Sequence, residues 1–143
     1  MAINQLSIFV ENKQGSLAEI TEILASNNVN IRALSLADTQ DFGILRLIVN
    51  DVELAKEVLK NNNCVVSINK VLGVKISDHP GGLSNIVKTL SDCKINLEYM
   101  YAFITESKRN ACVILRAENN EETEKTLSAK GISFLTEEDI NKL

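Results

Sequence analysis

At 143 residues, with 45% hydrophobic and 24% charged side chains, the chain has the composition of a globular protein. Its net charge of −4, from 15 basic and 19 acidic residues with the basic ones scattered, excludes the concentrated Lys/Arg surface that nucleic-acid binding needs. No apolar run approaches the roughly 20 residues of a membrane span, and Met1 to Gln5 has neither a basic n-region nor an apolar h-region, so no membrane partner and a cytoplasmic location are expected.

In chain order, Leu6 to Val10 is a short apolar run and reads as a strand. Gly15 breaks it, and Leu17, Ile20 and Leu24 fall at helical spacing until Ser26-Asn27-Asn28 stops the helix. Val29 to Thr39 reads as a strand, Gln40-Asp41 as a tight turn, and Phe42 to Val49 as the returning hairpin partner. Asn50, with Glu53 three positions on, resembles a capping box for a helix carrying Leu54, Ala55, Val58 and Leu59. Asn61-Asn62-Asn63 ends that helix, and Cys64 to Ile68 is a further strand. After Asn69-Lys70 the order repeats. Val71 to Ile76 is a strand, and Leu83, Ile86, Val87 and Leu90 form a helix stripe. Ile95 to Thr105 and Ala111 to Ala117 form a hairpin, and Asn119 with Glu122 caps a helix to about Lys130. Ile132 to Leu135 is the last strand, and Thr136 with Asp139 opens a short terminal helix.

The repetition extends to individual residues. Asn12-Lys13-Gln14-Gly15-Ser16-Leu17 recurs 66 positions on as Asp78-His79-Pro80-Gly81-Gly82-Leu83, and Asn30 recurs as Asn96. A period this long marks a duplicated small domain, since solenoid units run between about 20 and 50 residues. The expected domains are 1–69 and 70–143, the second with the short terminal helix. Each has about 70 residues, a size at which a lone core is marginal. Each reads strand-helix-strand-strand-helix-strand. This is the α+β, ferredoxin-like arrangement, with both helices on one face of an antiparallel sheet. Ile44 to Val49 is apolar on both alternating faces apart from Arg46, as is Leu6 to Val10 apart from Ser7, so the sheets are expected to pack on a further partner.

Enzymatic readings run out quickly. One histidine, His79, permits no multi-His metal set and is the sole base for a Ser-His or Cys-His pair. No phosphate-binding loop or dinucleotide fingerprint exists, so neither catalysis nor a cofactor is expected. Cys64, Cys93 and Cys112 form no C-x-x-C pair, which argues against a metal site and for buried, reduced thiols. The loops that open the two first helices are better candidates. The first amides of a helix lack internal partners and suit a carboxylate. Gly15 or Gly81 lets the backbone turn and a ligand approach, and Asn12 or Asp78 can accept hydrogen bonds from an ammonium group. Asn30 and Asn96 open the next strands and are read as adjacent to the same corner of the sheet. A carboxylate site beside an ammonium site describes an α-amino acid. The plain alternative is turn glycines and helix caps. Tyr99, Tyr101 and Phe103 share one face of a strand, where packing is the simpler reading, and Ala33, Ser35 and Ala37 stand at the matching positions.

The pattern E-N-K-x-G-x-L, a helix, N-V-N-I and a β-hairpin resembles the ACT domain, a small regulatory module attached to many amino-acid biosynthetic enzymes. D-x-P-G-x-L followed by K-I-N-L resembles the same module. The likeness covers the whole chain as two consecutive ACT domains and leaves no catalytic domain. It implies side-by-side pairing into an extended sheet and amino-acid ligands at domain interfaces. Carried over by position, the ligand-facing residues are Asn12, Gly15, Ser16 and Leu17 in the first lobe and Asp78, Gly81, Gly82 and Leu83 in the second, with Asn30 and Asn96 at the strand openings. Gln14 stands where Pro is usual, and Asp78 where the serine-binding version has Asn. The expected protein is a non-catalytic sensor of free amino acids, a homodimer that regulates an enzyme or regulator in trans. The alternative is a structural, dimerising module without a ligand.

Overall fold

Period-two burial explains the first strand. In the computed structural model, which describes residues 1–38, 41–103 and 110–142, Leu6, Ile8 and Val10 of β1 (Ile3–Glu11) point into one core. The chain falls into two compact units, Asn4–Asn69, and Met1–Ile3 with Lys70–Leu143.

In the first unit β1 is followed by α1 (Ser16–Ser26), β2 (Ile31–Asp38), β3 (Phe42–Val49), α2 (Val52–Asn61) and the first residues of β4 (Val65–Ser77). β1 runs antiparallel to β3, from Leu6↔Leu47 to Glu11↔Phe42. β2 lines the other side of β3, with Leu34↔Leu47 and Asp38↔Gly43. The core-facing residues of β1 and β3 (Leu45, Leu47 and Val49) meet Ile20 and Leu24 of α1 and Ala55 and Leu59 of α2. Full burial of each large side chain contributes about 1.5–3 kcal/mol. The second unit continues β4 and adds α3 (Gly82–Asp92), β5 (Leu97–Ala102), β6 (Asn110–Ala117), α4 (Asn120–Ala129), β7 (Phe134–Leu135) and α5 (Glu137–Lys142). Its strand order is β7-β4-β6-β5, all antiparallel. Leu72, Val74, Val113 and Leu115 pack on Ile86, Leu90 and Leu127. Each repeat is thus ferredoxin-like, with its helices on one face of an antiparallel sheet.

Several local expectations change. Cys64 to Ile68 and Val71 to Ile76 are parts of one strand, β4, because Asn69-Lys70 contains no Gly or Pro to break it. The cap of α2 is Asp51, whose carboxylate accepts from the Leu54 amide at 3.1 Å; the Asn50 side chain instead accepts from the Asn30 amide at 2.9 Å. Asn119 does cap α4, accepting from the Glu122 amide, and Thr136 and Asp139 exchange bonds at the start of α5. In the α3 stripe Ile86 and Leu90 are buried, but Leu83 and Val87 are exposed. Cys112 is buried, whereas Cys64 and Cys93 are half-buried at helix ends, and all three are free thiols. Tyr101 and Phe103 are buried, as packing residues should be, with Tyr99 stacked on Tyr101 at 6.4 Å. Gln40 of the expected turn and Ile104-Thr105 at the end of the second hairpin strand lie outside the described residues.

Candidate functional site

The two helix-opening loops are near copies in backbone as well as sequence. Gly15 sits at φ 90°, ψ −12° and Gly81 at φ 92°, ψ −10°, the left-handed region that glycine occupies at low strain. Neither α1 nor α3 has a side-chain cap hydrogen bond, whereas α2 and α4 do. The second helix of each lobe is thus capped by a side chain, and the first opens on a left-handed glycine at the cap position, a geometry that the turn-glycine alternative also describes.

In the first lobe this loop borders a cleft of about 250 Å³ lined by Asn12, Ser16 and Leu17 together with Leu36, Asp38 and Gly43. Leu17 and Leu36, 38% and 50% exposed, supply an apolar wall, and Asn12 Nδ2 lies 3.5 Å from Asp38 Oδ1. Lys13, also on the rim, pairs with Glu11 at 3.0 Å, and the carboxylate's hydrogen bond and charge raise its pKa. Sequence reasoning missed Leu36, Asp38 and Gly43. The available signal was the hairpin itself, because antiparallel pairing of β2 and β3 sets Asp38 across from Gly43 and beside the end of β1.

The second lobe's loop is more tightly closed. Gly82 N donates to His79 O at 3.0 Å, and a Cβ on Gly82 would lie 2.0 Å from Ser77 O, so backbone occupies the space that a side chain at this position would need. Asp78, Gly81 and Leu83 are exposed, and His79, also exposed, has Nδ1 2.8 Å from Pro80 O. A shallow cleft of about 390 Å³ beside this loop is lined by Ser77, Gly82, Asn85 and Gly131.

Asn30 and Asn96 are not where the sequence reading put them. β1 ends at Glu11, opposite Phe42; α1 then carries the chain back, and Ile31 pairs with Val49. Asn12 and Asn30 thus lie at opposite ends of β3, whose eight residues span about 25 Å. The physical reason is the crossover: a helix between parallel strands returns the chain to the end where the first strand began. Asn30 exchanges main-chain and side-chain bonds with Asn50. Asn96 likewise lies at the end far from Asp78, in a polar cleft of about 380 Å³ with Lys94, Glu118 and Glu122. Among the described residues no three His, Cys, Asp or Glu side chains come together as a metal site, and no helix is long and apolar enough to cross a membrane.

Two ferredoxin-like repeats, each with a glycine-opened first helix, define a class of regulatory module. The chain belongs to the ACT family: the profile of the ACT domain pair matches residues 1–143. In structure it is similar to the protein BT0572 from Bacteroides thetaiotaomicron, at 40% identity and TM-score 0.92, over 100% of this chain and 98% of that one. It also resembles the ligand-free regulatory subunit of aspartate kinase from Thermus thermophilus in fold, at 14% identity and TM-score 0.62, over 88% of this chain and 90% of that one. A third likeness of fold is to E. coli aspartokinase III in complex with aspartate and ADP, at 17% identity and TM-score 0.57, over 88% of this chain and 30% of that one. No sequence among curated proteins matches the chain.

Proposed function

We propose that this ACT domain pair, divided at 1–69 and 70–143, is a non-catalytic sensor that binds a free amino acid at the helix-opening cleft of its first lobe, as a homodimer, and regulates an enzyme or regulator in trans. The observation that supports it best is the convergence of Asn12, Ser16, Leu17, Leu36 and Asp38 on one small cleft beside an uncapped helix start. Its roughly 250 Å³ lies below the 300–1,000 Å³ of drug-sized pockets, which suits a single small metabolite. The ammonium group of the ligand meets Asp38 and Asn12, its carboxylate meets the first amides of α1, and Leu17 and Leu36 favour an aliphatic side chain. Asn30 reaches the same ligand only from another module, because within one lobe it lies at the far end of the sheet. An antiparallel, edge-to-edge pairing of two copies supplies that arrangement. The second lobe, with Asp78, Gly81, Gly82, Leu83 and Asn96, is the weaker site, since Asp78 adds charge near the ligand carboxylate and Gly82 leaves no side chain to contact it.

Thermal unfolding of the full chain against a panel of free amino acids tests this. A ligand at 100 times its dissociation constant stabilises by roughly 2.7 kcal/mol. Asn12→Ala removes a hydrogen bond to a charged group, about 1.5–3 kcal/mol, and should weaken binding tenfold or more. A panel in which no amino acid raises the unfolding temperature would leave the structural module without a ligand as the account.

A further inference from the structure

The first lobe carries a second groove, on the β4 side of the α1 start, whereas the cleft with Leu36 and Asp38 lies on the β2 side. Its volume is about 280 Å³, and it is bounded by the start of α1, the end of α2 and the first residue of β4. Phe9 and Phe42 line it, 53% and 54% exposed, together with Ile20 and Cys64. Phe9 lies opposite Ile44 and Phe42 opposite Glu11, so the two rings are diagonal neighbours on one face of the sheet. Three charges stand at the groove. Glu11 is paired with Lys13 at 3.0 Å, and Glu19 makes no ion pair or side-chain hydrogen bond among the described residues. The Glu19 charge nevertheless reaches the groove: burial first, and then Glu19, raise the Cys64 pKa.

The second lobe has a matching cleft, the one of about 390 Å³ beside the α3 start. There Lys75 stands at the position of Phe9, Asn85 at that of Glu19 and Ser133 at that of Val65, and Asn110 faces Ser77 as Phe42 faces Glu11. The groove therefore comes with the repeat, but its rings and its unpaired carboxylate belong to the first lobe. The fold needs neither, since the second lobe forms with Lys75 and Asn85 in their places.

We propose that the first-lobe groove is a binding site for a small organic ammonium ion with an apolar body, its charge set at Glu19 and against an aromatic face. A ring face attracts a cation electrostatically, and a carboxylate left without a partner supplies the opposite charge. Mostly apolar walls with a few polar groups are the build of a small-molecule site, and a volume just under the 300–1,000 Å³ of drug-sized pockets fits a single-ring amine. An anion would meet the excess negative charge, and a neutral molecule would leave Glu19 unused. This site is separate from the amino-acid cleft of the proposed function and does not depend on it.

Calorimetric titration of the full chain with phenethylamine tests the proposal, with phenethyl alcohol and phenylpropionate as neutral and anionic bodies of like shape. Saturable binding of the amine alone is expected. Glu19→Gln should weaken it about tenfold or more, since a hydrogen bond to a charged group is lost. Phe9→Lys, which installs the residue that the second lobe has at that place, should abolish it while the melting temperature stays near that of wild type. If Phe9→Lys fails to fold, Glu19→Gln decides. A wild type that takes up no phenethylamine, or that binds the alcohol equally well, would overturn the site. So would an affinity unchanged in Glu19→Gln, which would put the amine elsewhere, as beside Asp38. None of these failures touches the amino-acid reading, whose test is the panel of free amino acids.

Discussion

Gly81 and Gly82 are adjacent glycines present for different reasons, and replacing each by alanine separates them. At Gly81 a Cβ meets nothing within 4 Å, so Gly81→Ala pays for the left-handed backbone alone, about 1–2 kcal/mol. At Gly82 the Cβ would sit 2.0 Å from Ser77 O and 3.1 Å from Ser77 C, both backbone atoms that no rotamer change can move. Ser77 O also accepts from the His79 amide at 3.0 Å, and Ser77 is in register with Asn110 on β6. Overpacking of this kind costs about 1–3 kcal/mol, and losing the turn hydrogen bond adds about 0.5–1.5 kcal/mol. Gly82→Ala should therefore destabilise by about 3 kcal/mol, or about 6–12 °C at the 2–4 °C per kcal/mol typical of chains near this length. The equivalent position in the first lobe already bears a side chain, so Ser16→Ala should stay within about 0.5 kcal/mol. Differential scanning calorimetry of the three variants makes the comparison. Equal melting temperatures for Gly82→Ala and Gly81→Ala would refute the steric argument.

Other consequences are equally direct. Ser7 Oγ accepts from Gln5 Nε2 at 3.2 Å and donates to Asn69 Oδ1 at 2.6 Å, so Ser7→Ala should cost about 1–3 kcal/mol in urea unfolding. Leu24 and Leu90 occupy matching core positions, and truncating either to alanine should cost about 2–5 kcal/mol, lowering the denaturant midpoint at constant slope. Hydrogen bonds from the Thr136 amide and hydroxyl depress the Asp139 pKa below the usual carboxylate value. Its contribution is complete above the unfolded-state pKa of about 3.9 and lost as pH falls through the lower folded value. Asp139→Asn should therefore be less stable than wild type near neutrality, with the difference closing in acid.

The duplication made the fold legible. Once Gly15 and Gly81, Ile20 and Ile86, and Leu24 and Leu90 were seen as one pattern, two βαββαβ units followed, and period-two strands such as Phe42–Val49 needed no other information. The candidate cleft was half legible. The residues of the helix-opening loop are contiguous in sequence, so their grouping survives folding, but Asp38 and Leu36 join them through β2-β3 pairing, which local pattern does not encode. Asn30 follows the end of α1 in sequence, and the length of that helix carries it to the end of the sheet opposite Gly15. The shift of the α2 cap from Asn50 to Asp51 has a similar origin: both side chains can cap, and the tertiary bond to the Asn30 amide decides between them. Leu83 and Val87 fit a helical stripe by spacing, yet burial stops at Ile86 and Leu90, as it stops at Ile20 and Leu24 in α1.

The central claim is that an amino acid occupies the first lobe's helix-opening cleft. The most direct measurement is a two-dimensional amide NMR titration of the full chain with each common amino acid in turn. The account predicts that one or more aliphatic amino acids shift the Leu17 and Ala18 amides and the Asn12 side-chain amide most, in step with one another and saturably. A spectrum unmoved by every amino acid, or shifts confined to strands remote from that loop, would contradict it.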